Sequence, residues 1–119
     1  MVFRYRKFKV YQDALALHSK AAHLAETFPK AYWHLADQLR RAALSVPLNI
    51  AEGSAKESDR DFNRYIAMAL GSINESVACC EVAVAEKLIS EREFSDLESR
   101  ALEVCNQLGG LSKKLREKL

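Results

Sequence analysis

The side chains in this sequence that could do chemistry are three histidines, three cysteines and a set of clustered arginines and lysines. Most reactive arrangements have a spacing requirement, and the first two groups do not meet it. A di-iron helical bundle draws on inward-facing Glu-x-x-His pairs, and His18, His23 and His34 belong to none. The His-Glu-x-x-His pattern of a zinc helix is missing. No Ser/His/Asp set, Cys/His dyad or glycine-rich phosphate loop can be assembled. The histidines therefore read as surface or boundary residues. The expectation is a non-enzyme with no catalytic residues, metal, cofactor or small-molecule substrate. Cys79, Cys80 and Cys105 are odd in number and contain no Cys-x-x-Cys pair, which suits a reduced, cytoplasmic protein.

Phosphate chemistry is better supplied. Arg4, Arg6, Lys7 and Lys9 give the first nine residues a charge of +4 with no acid. Lys113, Lys114, Arg116 and Lys118, against Glu117, give the last nine +3, so the 101 residues between carry −5. Arg40 and Arg41 form a further adjacent pair. These ten cations are the candidate nucleic-acid-binding residues, since Lys and Arg neutralise phosphates and release counterions. The alternative is a solvated surface without a ligand. Phe3, Tyr5, Phe8 and Tyr11 interleave with the N-terminal cations, compatible with base stacking, with a strand, or with a tail tucked onto a neighbouring subunit.

The elements that must hold these residues are helical. Only four glycines and two prolines punctuate 119 residues, 49% of which are hydrophobic and 29% charged. No uninterrupted apolar run approaches bilayer length, and the charged N-terminus lacks the apolar segment of a secretory signal. Four segments carry helical periodicity. The first places Val10, Ala14, Leu17, Ala21, Leu24 and Phe28 on one stripe and stops at Phe28-Pro29. The second has Leu35, Leu39, Ala42, Val46, Asn49 and Gly53. The third runs from about Asp59 to Leu88 through Phe62, Ile66, Ala69, Ile73, Cys80 and Val84. The fourth has Phe94, Leu97, Ala101, Val104, Leu108, Leu111 and Leu115. Gly53 fits a left-handed cap, and Ser58/Asp61 and Ser90/Glu93 fit capping boxes. Short loops then force antiparallel neighbours. The expected fold is all-α, an antiparallel up-down-up-down four-helix bundle in one domain over residues 1–119, with a short basic N-terminal arm.

That topology brings both chain termini to one pole, along with the second loop and its Lys56, Arg60 and Arg64. It also raises questions about helix two. Pro47 removes a donor and crowds the carbonyl of Ala43, costing about 3 kcal/mol. The phase of the apolar stripe is unbroken across it, favouring a continuous, kinked helix over one that ends at Val46. Asn49 lies in the stripe and needs partners. A polar network linking Asn49 and Glu52 to Ser72 and Glu75 of helix three, with Arg41 nearby, would serve either to fix register or to contact a ligand. Tyr32, Trp33 and Leu35 suit packing at the start of helix two, and an exposed aromatic there would suit a subunit interface.

The segment Gln38-Leu39-Arg40-Arg41-Ala42 through Ser45, followed by Asn49-Ile50-Ala51-Glu52-Gly53, resembles a signature of the bacterial four-helix bundle proteins encoded in intervening sequences of 23S ribosomal RNA genes. Ala69-x-Gly71-Ser72-x-x-Glu75, Phe8-x-Val10-Tyr11-Gln12-x-Ala14 and Phe28-Pro29 are similar to further motifs of that family, whereas Ala31 stands where the family often has an acid. The family also includes the accessory variability determinant of diversity-generating retroelements, a more strongly basic protein. The resemblance implies a homopentameric ring whose basic surface engages nucleic acid and a reverse transcriptase. The function expected is that of an oligomeric bundle binding RNA or a nucleoprotein partner. The alternative is a protein–protein interaction scaffold without nucleic-acid binding.

Overall fold

The structure is a computed structural model and describes residues 2–117. Four helices follow the order α1 (Lys9–Glu26), α2 (Trp33–Ser54), α3 (Asp59–Ala85) and α4 (Glu91–Glu117). Short 3-10 turns at Arg4–Lys7 and Lys30–Tyr32 precede α1 and α2. Each helix packs against its two neighbours in the ring α1–α2–α3–α4, the four-helix bundle that the apolar stripes require. The body measures 46 × 21 × 20 Å, set by the 27-residue helices at about 1.5 Å per residue.

The stripes of α1 and α4 are the core as read from sequence. All six residues of the first stripe are buried, Phe28 just beyond α1, and α4 buries Leu97, Ala101, Val104, Leu108 and Leu115 with Phe94 and Leu111 half-buried. Helix α2 buries Leu39, Ala42, Val46 and Gly53 of its stripe as expected, and its buried face is wider than the stripe. Its fully buried residues include Ala43, Val46 and Ile50, with Pro47 also inside the core. Leu35 and Asn49 are only half-buried. Asn49 thus flanks the core and does not interrupt it. Pro47 lies within one unbroken helix, as its neighbours' periodicity requires.

The helix ends explain themselves locally. Ser58 Oγ accepts from the Asp61 amide at 3.1 Å. Ser90 and Glu93 form the reciprocal box, with bonds of 2.9 and 3.0 Å. Two expectations fail. Gly53 is not a left-handed cap: it is a buried residue of α2, and Ala55 follows the helix in right-handed geometry. Its lack of a side chain is a matter of room, because a Cβ there would stand 2.6 Å from Tyr65 Cβ and 3.0 Å from the Phe62 ring. Helix α3 also stops at Ala85, short of Leu88. Lys87 adopts φ 61°, and the Leu88 and Lys87 amides bond back to the carbonyls of Ala83 and Val84 at 2.8 and 2.9 Å. This is a Schellman closure with lysine in the position glycine usually takes.

Helix α3 alone among the described residues is long and apolar enough to cross a membrane by length and composition. Gly71, Ser72, Asn74, Glu75 and Ser76 interrupt its apolar run, and Phe62, Ile66, Ala69, Ile73 and Cys80 lie in the bundle core.

Candidate functional site

The antiparallel topology carries both ends of the described chain to one pole, and the cations there divide by what they touch. Arg4 is used internally: its Nε donates to the Ser54 carbonyl at 2.7 Å, and its guanidinium lies over the Phe62 ring at 5.4 Å. A cation placed on the last carbonyls of α2 also complements the helix dipole. Arg6 covers the Phe3 ring at 4.7 Å. Lys9 reaches Asp13 at 2.6 Å and Glu103 at 3.3 Å. The hydrogen bond to Asp13 raises the Lys9 ammonium above its ordinary value despite the opposing cost of desolvation. Arg4 and Lys9 are thus anchors of the N-terminal segment, whereas Arg6 is exposed and its guanidinium touches the Phe3 ring within that same segment.

Lys7, Lys113, Lys114 and Arg116 are exposed and form no ion pair among the described residues. Lys7 and Lys114, from opposite ends of the chain, line one shallow hollow of about 440 Å³ with Phe8, Val10 and Leu111. Lys118 lies outside the described residues. The second loop adds charge at the same pole, where Lys56 and Arg64 sit on the Tyr65 ring at 5.1 and 4.9 Å.

The interleaved aromatics do not form a stacking face. Tyr5 packs edge-on against Tyr11 at 4.7 Å, and Phe8 stacks on Phe62 at 6.3 Å. They seal the N-terminal turn onto the bundle, and Phe3 is the one left more than half exposed.

Arg40 and Arg41 are elsewhere. Each lies about 20 Å along α2 from Ser54, by the rise of the helix. Arg41 pairs with Asp37 at 2.9 Å. Arg40 lines a hollow at the opposite pole with Lys30 and Trp33. The ten cations chosen from sequence therefore do not make one site. Trp33, expected to pack, is 60% exposed and stacked on His34 with centroids 3.7 Å apart. Its signal was its place off the apolar stripe of α2, seven residues before Arg40.

The polar network exists in altered form. Ser45 Oγ and Ser72 Oγ meet at 2.8 Å and join α2 to α3. Asn49 donates to the hydroxyl and carbonyl of Ser45, both at 2.8 Å, and reaches α3 through Ser45 alone. Glu75 accepts from Gln38, so neither Asn49 nor Arg41 reaches it. Glu52 is exposed and takes no part. Ser76, fully buried, bonds the Ser72 carbonyl at 2.9 Å. Short hydroxyl side chains let the two helices approach closely with their polar atoms satisfied.

Among the described residues no cluster of three His, Cys, Asp or Glu side chains could hold a metal ion. The three thiols are unpaired; burial raises Cys79 and Cys105 and pushes Cys80 up to about 12, away from the thiolate form that reacts.

A search of curated proteins finds no match to the chain. The pattern of one sequence family does match, and it spans residues 6–110, from the N-terminal anchor through all but the end of α4. It covers both sides of the Ser45–Ser72 seam, the Gly53 contact and the Phe28-Pro29 link, the features that determine how the helices meet. On that coverage the chain belongs to the 23S rRNA-intervening sequence protein family.

Proposed function

We propose that the protein is a non-enzymatic, oligomeric helical module of the cytoplasm that binds RNA or a nucleoprotein partner through its basic terminal pole. The observation that carries this reading is the convergence of Lys7 and Lys114 on one hollow, with Lys113 and Arg116 on the same terminal turns of α4. Cations drawn from both ends of a chain, and left without carboxylate partners among the described residues, offer a polyanion several phosphate contacts at once. A nucleoprotein such as a reverse transcriptase complex is the partner class implied by the resemblance of the sequence motifs.

Four such contacts on single-stranded RNA give a slope of log affinity against log salt of about −3. Binding of a labelled RNA across ionic strengths tests this. Replacing Lys113, Lys114 and Arg116 together by Ala should cut the slope to about −1. Undetectable binding, or binding indifferent to salt, refutes the proposal.

A second reading concerns assembly and rests on a different face. Leu44 and Leu48 of α2 and Met68 and Val82 of α3 are all exposed, between 44% and 55%. Apolar exposure of this kind suits a contact between copies, and five copies is the number the resemblance implies. Charged substitution of Leu48 and Met68 should then lower the solution mass measured by light scattering.

A further inference from the structure

The hollow between the end of α1 and the start of α2 joins an exposed indole to two cations. It has about 300 Å³ of space, and Trp33, Lys30, Arg40, Phe28, Glu26 and Asp37 are among its lining residues. The Trp33 indole is well exposed and stacks on His34, which is also exposed. Lys30 and Arg40 make no ion pair among the described residues. Asp37 pairs with Arg41 at 2.9 Å.

We propose that this hollow is a stacking subsite for one unpaired base of a single-stranded RNA, with Trp33 as the platform and Lys30 and Arg40 on the flanking phosphates. This rests on the reading that the protein binds RNA, and it adds a second contact region at the far pole.

The chemistry favours a nucleotide over a protein side chain. A base offers a flat π face to the indole and brings its own phosphates to the two cations, and every base has such a face. The carboxylates on the rim can accept from the exocyclic amino group of a base, an interaction closed to a bare phosphate ion. A duplex hides its bases in the stack and cannot use the platform. The exposed aliphatic residues that suit contact between copies, Leu44, Leu48, Met68 and Val82, are not among the residues lining this hollow.

Trp33 is the only tryptophan in the chain, so emission excited selectively from tryptophan reads this site alone. The experiment titrates the full chain with a short labelled oligoadenylate, following label anisotropy and tryptophan emission together. Quenching that saturates with the anisotropy is the expected result. Trp33→Ala should weaken binding roughly fivefold to a hundredfold, the worth of one stacked base, and Trp33→Phe should recover most of it. Arg40→Ala should reduce the salt slope by about 0.7. Circular dichroism of each variant checks that the helices remain.

Binding seen by anisotropy without quenching, and unaltered by Trp33→Ala, overturns the stacking subsite and leaves binding at the terminal pole intact. Absence of any RNA binding removes both proposals. Emission that changes with protein concentration in the absence of RNA, joined to a lower solution mass for Trp33→Ala, also overturns it and assigns Trp33 to contact between copies.

Discussion

The α2–α3 seam and the α1–α4 seam close the same bundle by different means. Along α2–α3, the most extensive helix pair, small residues allow the closest approaches, Gly53 against Tyr65 and Phe62 and Ser45 against Ser72 with Ser76 behind it. The side-chain bridge at the rim, Gln38–Glu75, is not an ion pair. Along α1–α4, the least extensive of the four, charged side chains span the gap. Both inter-helix ion pairs among the described residues, Lys9–Glu103 and Lys20–Asp96, cross it, and Gln107 donates to Asp13 at 2.6 Å beside them. Close packing depends on shape, whereas exposed ion pairs contribute little and depend on salt and pH. The difference also bears on function. The sequence signature on α2 and α3 is largely spent on joining those helices, and the cations left without partners lie at the two poles.

The sharpest break in the comparison comes at Gly53. Alanine is the better helix former by about 1 kcal/mol, so a glycine inside a helix ordinarily invites replacement. Here the added Cβ would collide with Tyr65 Cβ, an atom tied directly to the α3 backbone. Gly53→Ala should therefore destabilise by about 1–3 kcal/mol, the usual cost of overpacking. Gly71→Ala, on the same pair of helices but with nothing within 4 Å of the new atom, should stabilise by about 0.5–1 kcal/mol. Denaturant unfolding of both variants gives the contrast directly. Equal effects at the two glycines would remove close approach as the reason for Gly53.

A smaller effect is expected at Ser45, the one residue that bonds both Asn49 and Ser72. Ser45→Ala deletes two hydrogen bonds, but Asn49 keeps the Ser45 carbonyl and Ser72 keeps the Met68 carbonyl at 3.1 Å. The loss should be about 1 kcal/mol, since no partner is left wholly unsatisfied. Binding of RNA should be unchanged, because the seam aligns helices and holds none of the unpaired cations.

How much of this could be read beforehand varies by element. The stripes of α1 and α4 each have one apolar face, so periodicity identifies the core there. Helix α2 is apolar over more of its circumference: Ala36, Ala43, Pro47 and Ile50 are buried beside Leu39, Ala42 and Val46, while Leu35 and Asn49 fall at the edge, and spacing alone cannot set the width of the buried face. The role of Gly53 was hidden because glycine signals both a cap and a close approach, and only the neighbouring helix distinguishes them. Arg4 looked available because its partner, Ser54, is 50 residues away, whereas the nearer partner of Lys9, Asp13, lies only four residues on and was legible as an i, i+4 pair. The separation of Arg40 and Arg41 from the terminal cations was legible too. An up-down bundle whose second helix starts at the far pole must leave residues near that start far from both termini.

The gentlest test of the comparison is acid. The Lys9 ammonium and the Gln107 amide, both donating to the Asp13 carboxylate, hold it below its ordinary value, and Lys20 does the same to Asp96. A carboxyl with a depressed folded value stabilises the fold above its unfolded value, near pH 3.9, and that contribution fades as pH falls through the folded value. The window of loss thus lies below about pH 4. Lys9 has the opposite sign: its raised value contributes at neutral pH and is lost as pH climbs through the alkaline range. Both carboxylates serve α1–α4, so amides of α1 and α4 should lose hydrogen-exchange protection before those of α2 and α3 as acid is added. Asp13→Asn should flatten that early loss while leaving the α2–α3 amides as they were. Protection that falls evenly across all four helices would mean that the polar seam and the close-packed seam open as one unit, and the contrast between them would then describe geometry without describing stability.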